Sequence, residues 1–224
     1  MKNTTTTIAA IISGLTFSAS GAIVLNDVIG IDFGPTAADN NYNSLNSISG
    51  TLNNLVSLTD GSTVITGVSV NVADFAWSNN DADHTLGSGT LNSNESNLTD
   101  WIGGSGTNTI TFSGLDDALL YDIQIGHAFS ANTTNTDTDY SVDGQTATAY
   151  HDNVAGSSFV NLSDLSTDGS GNLVISLTGA SGASGSSFVS AMTLTASDVA
   201  PIPEPSSAAL LGLGGLALIS RRKR

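Results

Sequence analysis

The chain has 224 residues, no cysteine, and 20 acidic against 5 basic residues, for a formal net charge of −15 at pH 7. The basic residues Lys2, Arg221, Arg222, Lys223 and Arg224 all lie at the two ends, so Ile23–Ala200 carries eighteen Asp, the single Glu95 and no Lys or Arg. Such a polyanion has no electrostatic footprint for DNA or RNA and no cationic clamp for phosphate or carboxylate substrates, which leaves neutral glycans and divalent cations as ligands; with no disulfide, its stability must come from a core or from bound ions.

Lys2, the Thr4–Thr7 run, the apolar segment Ile8–Phe17 and the small residues Ser18–Ala22 have the layout of a secretory signal peptide, with cleavage expected after Ala22. An amphipathic first helix of the fold is a poorer reading. Thr4–Thr7 and Ser18–Gly21 are weak helix formers, and the middle of the segment has no polar face. The stretch Ile23–Ala200 has the size of one domain.

Within it, Val28–Phe33 reads as a short strand that ends at Asp32-Phe33-Gly34-Pro35. Thr36–Asn54, rich in Asn and Ser, reads as loop. Leu55–Leu58 and Val64–Val72 read as strands on either side of Thr59-Asp60-Gly61-Ser62, a hairpin signal. Val68, Val70 and Val72 alternate with polar residues, so one face is buried and the other wet. Phe75-Ala76-Trp77 then opens a long polar loop, Ser78–Thr99, before Trp101; loops of that length are usually functional or mobile. Strands are predicted next at Thr109–Phe112, Leu119–Ala128, Tyr140–Val142, Thr146–Tyr150, Phe159–Leu162, Leu173–Leu177 and Ser187–Thr195. Nine or ten short strands with regular turn residues, and no long segment of helical period, predict an all-β domain of the sandwich or jelly-roll type.

Three histidines, His84, His127 and His151, are the candidate acid–base groups. His84 and His151 each adjoin an Asp, but neighbours in a strand point to opposite sides, so adjacency alone does not pair a base with its orienter. There is no Gly-x-Ser-x-Gly and no His-Glu-x-x-His. The expectation is therefore a non-enzyme, with a secreted hydrolase of neutral polysaccharide or a purely structural matrix protein as the alternatives. His127 reads as a satisfied strand-end residue. Asp81-x-Asp83 and Asp137-x-Asp139 place paired carboxylates in predicted loops, as hard oxygen sites for Ca2+ do, although neither is an EF-hand. Trp77 and Trp101, with Tyr42 and Tyr140, are the candidate stacking surfaces for sugar rings, and both tryptophans flank the long polar loop.

The last residues have three parts: Pro203-Glu204-Pro205, the apolar run Ala208–Ile219, and the cluster Arg221, Arg222, Lys223 and Arg224. A short hydrophobic helix over Ser206–Ser220 would be about 22 Å long, against a hydrocarbon core of about 30 Å. The basic cluster would be retained on the cytoplasmic side, leaving the preceding domain outside. Order, spacing and position resemble the PEP-CTERM sorting signal of bacterial exported proteins. That resemblance implies transient anchoring in the inner membrane, recognition by exosortase and the export machinery, and a surface or exopolysaccharide context. More weakly, Thr111–Leu115, Tyr140–Gly144 and Phe188–Met192 resemble jelly-roll domains of the galactose-binding-like or malectin-like kind. This second resemblance implies a fold, and no glycan-binding residue is carried over from it.

Overall fold

A computed structural model of the chain describes residues 23–35, 41–80, 91, 100–127, 137–150, 159–181 and 185–199. These residues form strands and connections with no helix among them. Fourteen strands run in chain order: β1 (Val28–Phe33), β2 (Asn43–Leu45), β3 (Gly50–Val56), β4 (Val64–Ala73), β5 (Trp77–Asn80), β6 (Asp100–Ser105), β7 (Asn108–Ser113), β8 (Leu119–Gly126), β9 (Thr138–Val142), β10 (Gln145–Ala149), β11 (Phe159–Leu165), β12 (Leu173–Gly179), β13 (Ser186–Val189) and β14 (Ala191–Val199).

Two sheets face each other across the core. One has the order β11-β8-β14-β1-β2, the other β10-β9-β12-β7-β4-β3, and a small third sheet, β13-β6-β5, closes one side. If β1, β7, β8, β9, β10, β11, β12 and β14 are taken as a series of eight, the sheets read first-eighth-third-sixth and second-seventh-fourth-fifth. That is the strand order of a jelly roll. β2 to β6 form an insertion between its first two strands.

Alternation in the sequence produces the core. Ile29, Ile31 and Phe33 of β1, Ile123 and Ile125 of β8, and Met192 and Leu194 of β14 point inward from the five-stranded sheet. Val68, Val70 and Val72 of β4, Ile110 and Phe112 of β7, and Leu173, Ile175 and Leu177 of β12 meet them from the six-stranded sheet. Every one of these side chains is essentially buried, and period-two burial on two facing sheets is what joins them into one core.

Several expectations are corrected. The predicted loop Thr36–Asn54 contains β2, which runs parallel to β1, and most of β3, from Gly50 to Asn54. Thr51, Asn53 and Asn54 are polar because β3 is an edge strand with most of its residues exposed. The pairing of β3 with β4 shifts register between Asn53 and Leu55, and Asn54 between them has φ 57, a left-handed backbone that Asn tolerates better than most residues. The predicted strand Ser187–Thr195 is two strands. At Ser190 the chain leaves the small sheet and enters the five-stranded one, its N–H donating to the Gly126 carbonyl and its carbonyl accepting from the Phe33 N–H.

Candidate functional site

The small third sheet brings together residues that are far apart in sequence. Trp77 on β5 lies opposite Gly103 on β6, and Gly103 lies opposite Phe188 on β13. Trp101, two residues before Gly103, shares the same face of β6. Side chains two strands apart should be separated by about 9.5 Å, twice the interstrand spacing. The rings of Trp77 and Phe188 are nevertheless stacked, with centroids 6.5 Å apart and planes at 24°. Gly103 makes this possible: a Cβ on it would meet Cδ1 of Phe188 at 2.3 Å. The ring of Phe188 thus occupies the place where a side chain at position 103 would stand. Trp101 packs edge-on against the same ring at 5.1 Å and 85°, and His127 does so from another side at 6.1 Å and 73°.

The backbone of Phe188 is fixed as firmly as its ring. Its N–H donates to Oγ1 of Thr138 at 3.1 Å. Its carbonyl accepts the Tyr140 hydroxyl and stands 3.2 Å from Nδ1 of His127. Nδ1 is also 3.3 Å from the Tyr140 oxygen. Since that hydroxyl already spends its proton on the carbonyl, the arrangement assigns the His127 proton to Nδ1. Tyr140 is fully buried, and burial pushes its phenol far above the ordinary value of 10.0, so it stays a neutral donor at every physiological pH.

Exposure separates the candidates. Trp77 is 44% exposed and forms the outer surface of the corner, whereas Trp101, at 8%, lies within it as support. Trp101 is thereby corrected from a stacking surface to a packing residue. Tyr140 and Tyr42 are corrected too, because both are buried, and Tyr42 belongs to a separate small apolar cluster with Leu58, Leu91 and Ala191. His127 is buried directly after the end of β8, at the strand end that the sequence predicts, with its Nδ1 facing the Phe188 carbonyl and the Tyr140 hydroxyl. Asp139 lies on β9 and not in a loop, where it accepts a hydrogen bond from the Thr148 hydroxyl across the β9–β10 pair. Asp137 precedes the same strand, and its main-chain carbonyl accepts from the Ala180 N–H. Among the described residues no group of three or more His, Cys, Asp and Glu is placed to hold a metal. Asp81, Asp83, His84, His151, the expected cleavage site Ala22, the motif Pro203-Glu204-Pro205 and the cluster Arg221, Arg222, Lys223 and Arg224 lie outside the described residues.

Sequence reading missed Phe188, Gly103 and the two buried carboxylates Asp32 and Asp100, each of which is engaged by neighbouring groups. Phe188 lies 61 residues beyond His127. No local pattern links them; the glycine pair after Trp101 is the one sequence signal that a ring might lie over that strand.

Residues 201–224 match the PEP-CTERM protein-sorting motif. The chain is an exported protein carrying a C-terminal membrane-anchored signal for sorting by exosortase. No curated protein matches it. Among solved structures, it is similar to the protein YXIM of Bacillus subtilis, at 13% identity and a TM-score of 0.41 over 76% of this chain and 40% of that one. The extracellular domain of ANXUR2 from Arabidopsis thaliana gives 9% and 0.41, over 78% and 41%. A Podospora anserina GH26-CBM35 beta-(1,4)-mannanase gives 19% and 0.30, over 60% and 29%. The chain spans less than half the length of each of these structures, and none of them lends a residue role or a ligand to it.

Proposed function

We propose that this is a non-enzymatic protein of the cell surface or extracellular matrix, which associates with a neutral exopolysaccharide after exosortase has processed its tail. The observation that carries the reading is the pairing of the sorting motif with a domain that has no cationic side chain between Ile23 and Ala200. A protein placed among matrix polymers without any Lys or Arg has nothing to pair with an acidic polymer, and its own charge repels one. Uncharged chains are the polymers it can approach closely. The exposed indole at the aromatic corner supports the same reading, because it offers contact area that needs no charge.

Fractionation of cells producing the full-length chain tests this. The wild-type protein should be recovered shortened at its C-terminus, with the extracellular polysaccharide, and be released by soluble neutral oligosaccharides. Replacing Pro203-Glu204-Pro205 with alanines should leave the precursor in the membrane fraction, and an unchanged mass and location would remove the sorting step. Turnover of a neutral polysaccharide that disappears with His84→Ala or His151→Ala would replace the reading with a hydrolase. Matrix recovery that persists after all glycan is digested would replace it with a self-associating structural protein.

A further inference from the structure

A single exposed aromatic is ordinary on a protein surface. Trp77 differs from the other exposed apolar side chains, such as Val174 at 45% and Tyr150 at 51%, in being held by a stacked ring that is itself 5% exposed. The holding is thorough. Phe188 is wedged into the space above Gly103, braced edge-on by Trp101 and His127, and fixed at its main chain by Thr138 and Tyr140. Little rotamer freedom then remains to be lost when a flat ligand settles on the indole, and preorganisation of this kind is where affinity is gained.

The face of an indole carries the negative part of its quadrupole. Its complement is a surface of weakly positive C–H groups, which one side of a pyranose ring presents, while the sugar hydroxyls point outward to water. Anionic sugars are disfavoured by a domain that has nineteen carboxylates and no cation.

We propose that the outward face of Trp77 is the stacking platform for one pyranose ring of a neutral polysaccharide. The site rests on the glycan-association reading above and gives it a location. Phe188 and Trp101 are positioning residues: they orient the indole without touching the sugar. A single platform binds each sugar weakly, on the order of millimolar, the low end of measured affinities, so retention in a matrix comes from many sugar repeats and many protein copies.

The test is affinity electrophoresis of the full-length chain through gels cast with a neutral β-glucan, galactan or mannan, with alginate and chitosan as the anionic and cationic comparisons. At least one neutral gel should retard the wild type, and saturating it with the matching oligosaccharide should alter tryptophan emission. Trp77→Ala should weaken retardation about tenfold or more, the scale of removing an aromatic anchor. Trp77→Phe should retain part of it and Val174→Ala all of it. Trp77→Phe also covers the case in which the alanine variant is unstable, because it keeps a ring on Phe188; unchanged affinity in this folded variant, with emission no longer responding to sugar only because Trp77 is gone, still supports the platform. If both Trp77 variants are retarded like the wild type and the sugar-dependent emission change survives in them, the platform is wrong while glycan association stands. Failure of every neutral gel to retard the wild type overturns the platform and the glycan reading together. Preferential retardation by alginate, or a retardation by chitosan that Trp77→Ala abolishes, overturns the ligand class; retardation by chitosan that is equal in the wild type and Trp77→Ala reports only the net negative charge of the domain and leaves the neutral gels to decide.

Discussion

The six-stranded sheet and the three-stranded sheet are built on opposite rules. In the larger sheet, rows of inward residues repeat across the strands: Val70, Phe112 and Leu173 form one row, and Val72, Ile110 and Ile175 the next. Every position contributes apolar area, and the inner face works through the sum. In the smaller sheet the equivalent row is Trp77, Gly103 and Phe188, a large residue on either side of none. There the fit of one ring into one gap decides the arrangement. A summed face tolerates exchange of one apolar residue for another of equal volume, whereas a single fitted ring responds to the addition of one carbon.

The largest effect should come from emptying a row of the summed face. Phe112 is fully buried between Val70 and Leu173, and Phe112→Ala should cost about 3–5 kcal/mol of global stability. Denaturant unfolding measures it. A loss below about 1 kcal/mol would mean that the facing sheets close over the void, and that the core is less tightly packed than its burial indicates.

Next in size is the addition of one carbon at the gap. Gly103→Ala places a methyl group 2.3 Å from the Phe188 ring, so the ring must tilt away from both tryptophans at a cost of about 1–3 kcal/mol. Tryptophan emission should change while exchange protection of Ile110 and Ile175 holds. Unaltered emission would show that the ring has room to spare and that the corner is not a fitted one.

These contrasts explain what could be read from the sequence. Val68-Ser69-Val70-Asn71-Val72 declares its strand and its inner face, because a half-buried strand writes burial at period two. The jelly roll and its long strands were legible for that reason. β3 was only half legible, since the extra residue Asn54 sets its two inward leucines, Leu52 and Leu55, three positions apart instead of two and breaks the alternation. β5 and β6 were hidden for a different reason. β6 is buried along nearly its whole length, so Trp101-Ile102-Gly103-Gly104 shows no alternation at all. At the candidate site, Trp77 and Trp101 could be named from residue type, but their division into surface and support could not. That division depends on Phe188, which reaches them through the pairing of β13 with β6, a contact that no local signal announces.

Tyr140 belongs to both regions, with its ring in the main core and its hydroxyl on the carbonyl of Phe188. Tyr140→Phe keeps the core ring and removes the buried hydroxyl, with its hydrogen bond to the Phe188 carbonyl and its contact to Nδ1 of His127, for an expected loss of about 1 kcal/mol. The pH dependence sharpens this. Burial raises the folded-state phenol above 10.0, so its stabilising contribution is complete below that value and declines as the pH climbs above it, where the unfolded chain ionises first. Thermal melting above pH 10 should therefore fall more steeply in the wild type than in Tyr140→Phe. Parallel slopes would mean that the hydroxyl reaches water.

The smallest effect is at the far edge of the six-stranded sheet, where the β3–β4 hairpin turns by local hydrogen bonds that the sequence does announce. The Asp60 carboxylate accepts from the N–H of Ser62 at 2.9 Å, from the N–H of Thr63 at 2.8 Å, and from the Thr63 hydroxyl. These bonds favour its charged form, the Thr63 hydroxyl most of all, and lower its pKa from 3.8 to about 2. For a carboxylate held down in this way, the stabilising contribution is complete above the unfolded value and is lost as the pH falls through the folded one, so the window runs from about 4 to about 2. Asp60 is fully exposed, and water screens and replaces part of what each bond supplies; the change should consequently be small and confined to this window. Asp60→Asn keeps an oxygen acceptor without the charge, so its melting temperature should lie slightly below that of the wild type at pH 5 and converge with it by pH 2. A gap between the two proteins that stays constant from pH 5 to pH 2 would assign the turn to Gly61 and the backbone alone, and would leave the carboxylate with no part in holding the hairpin.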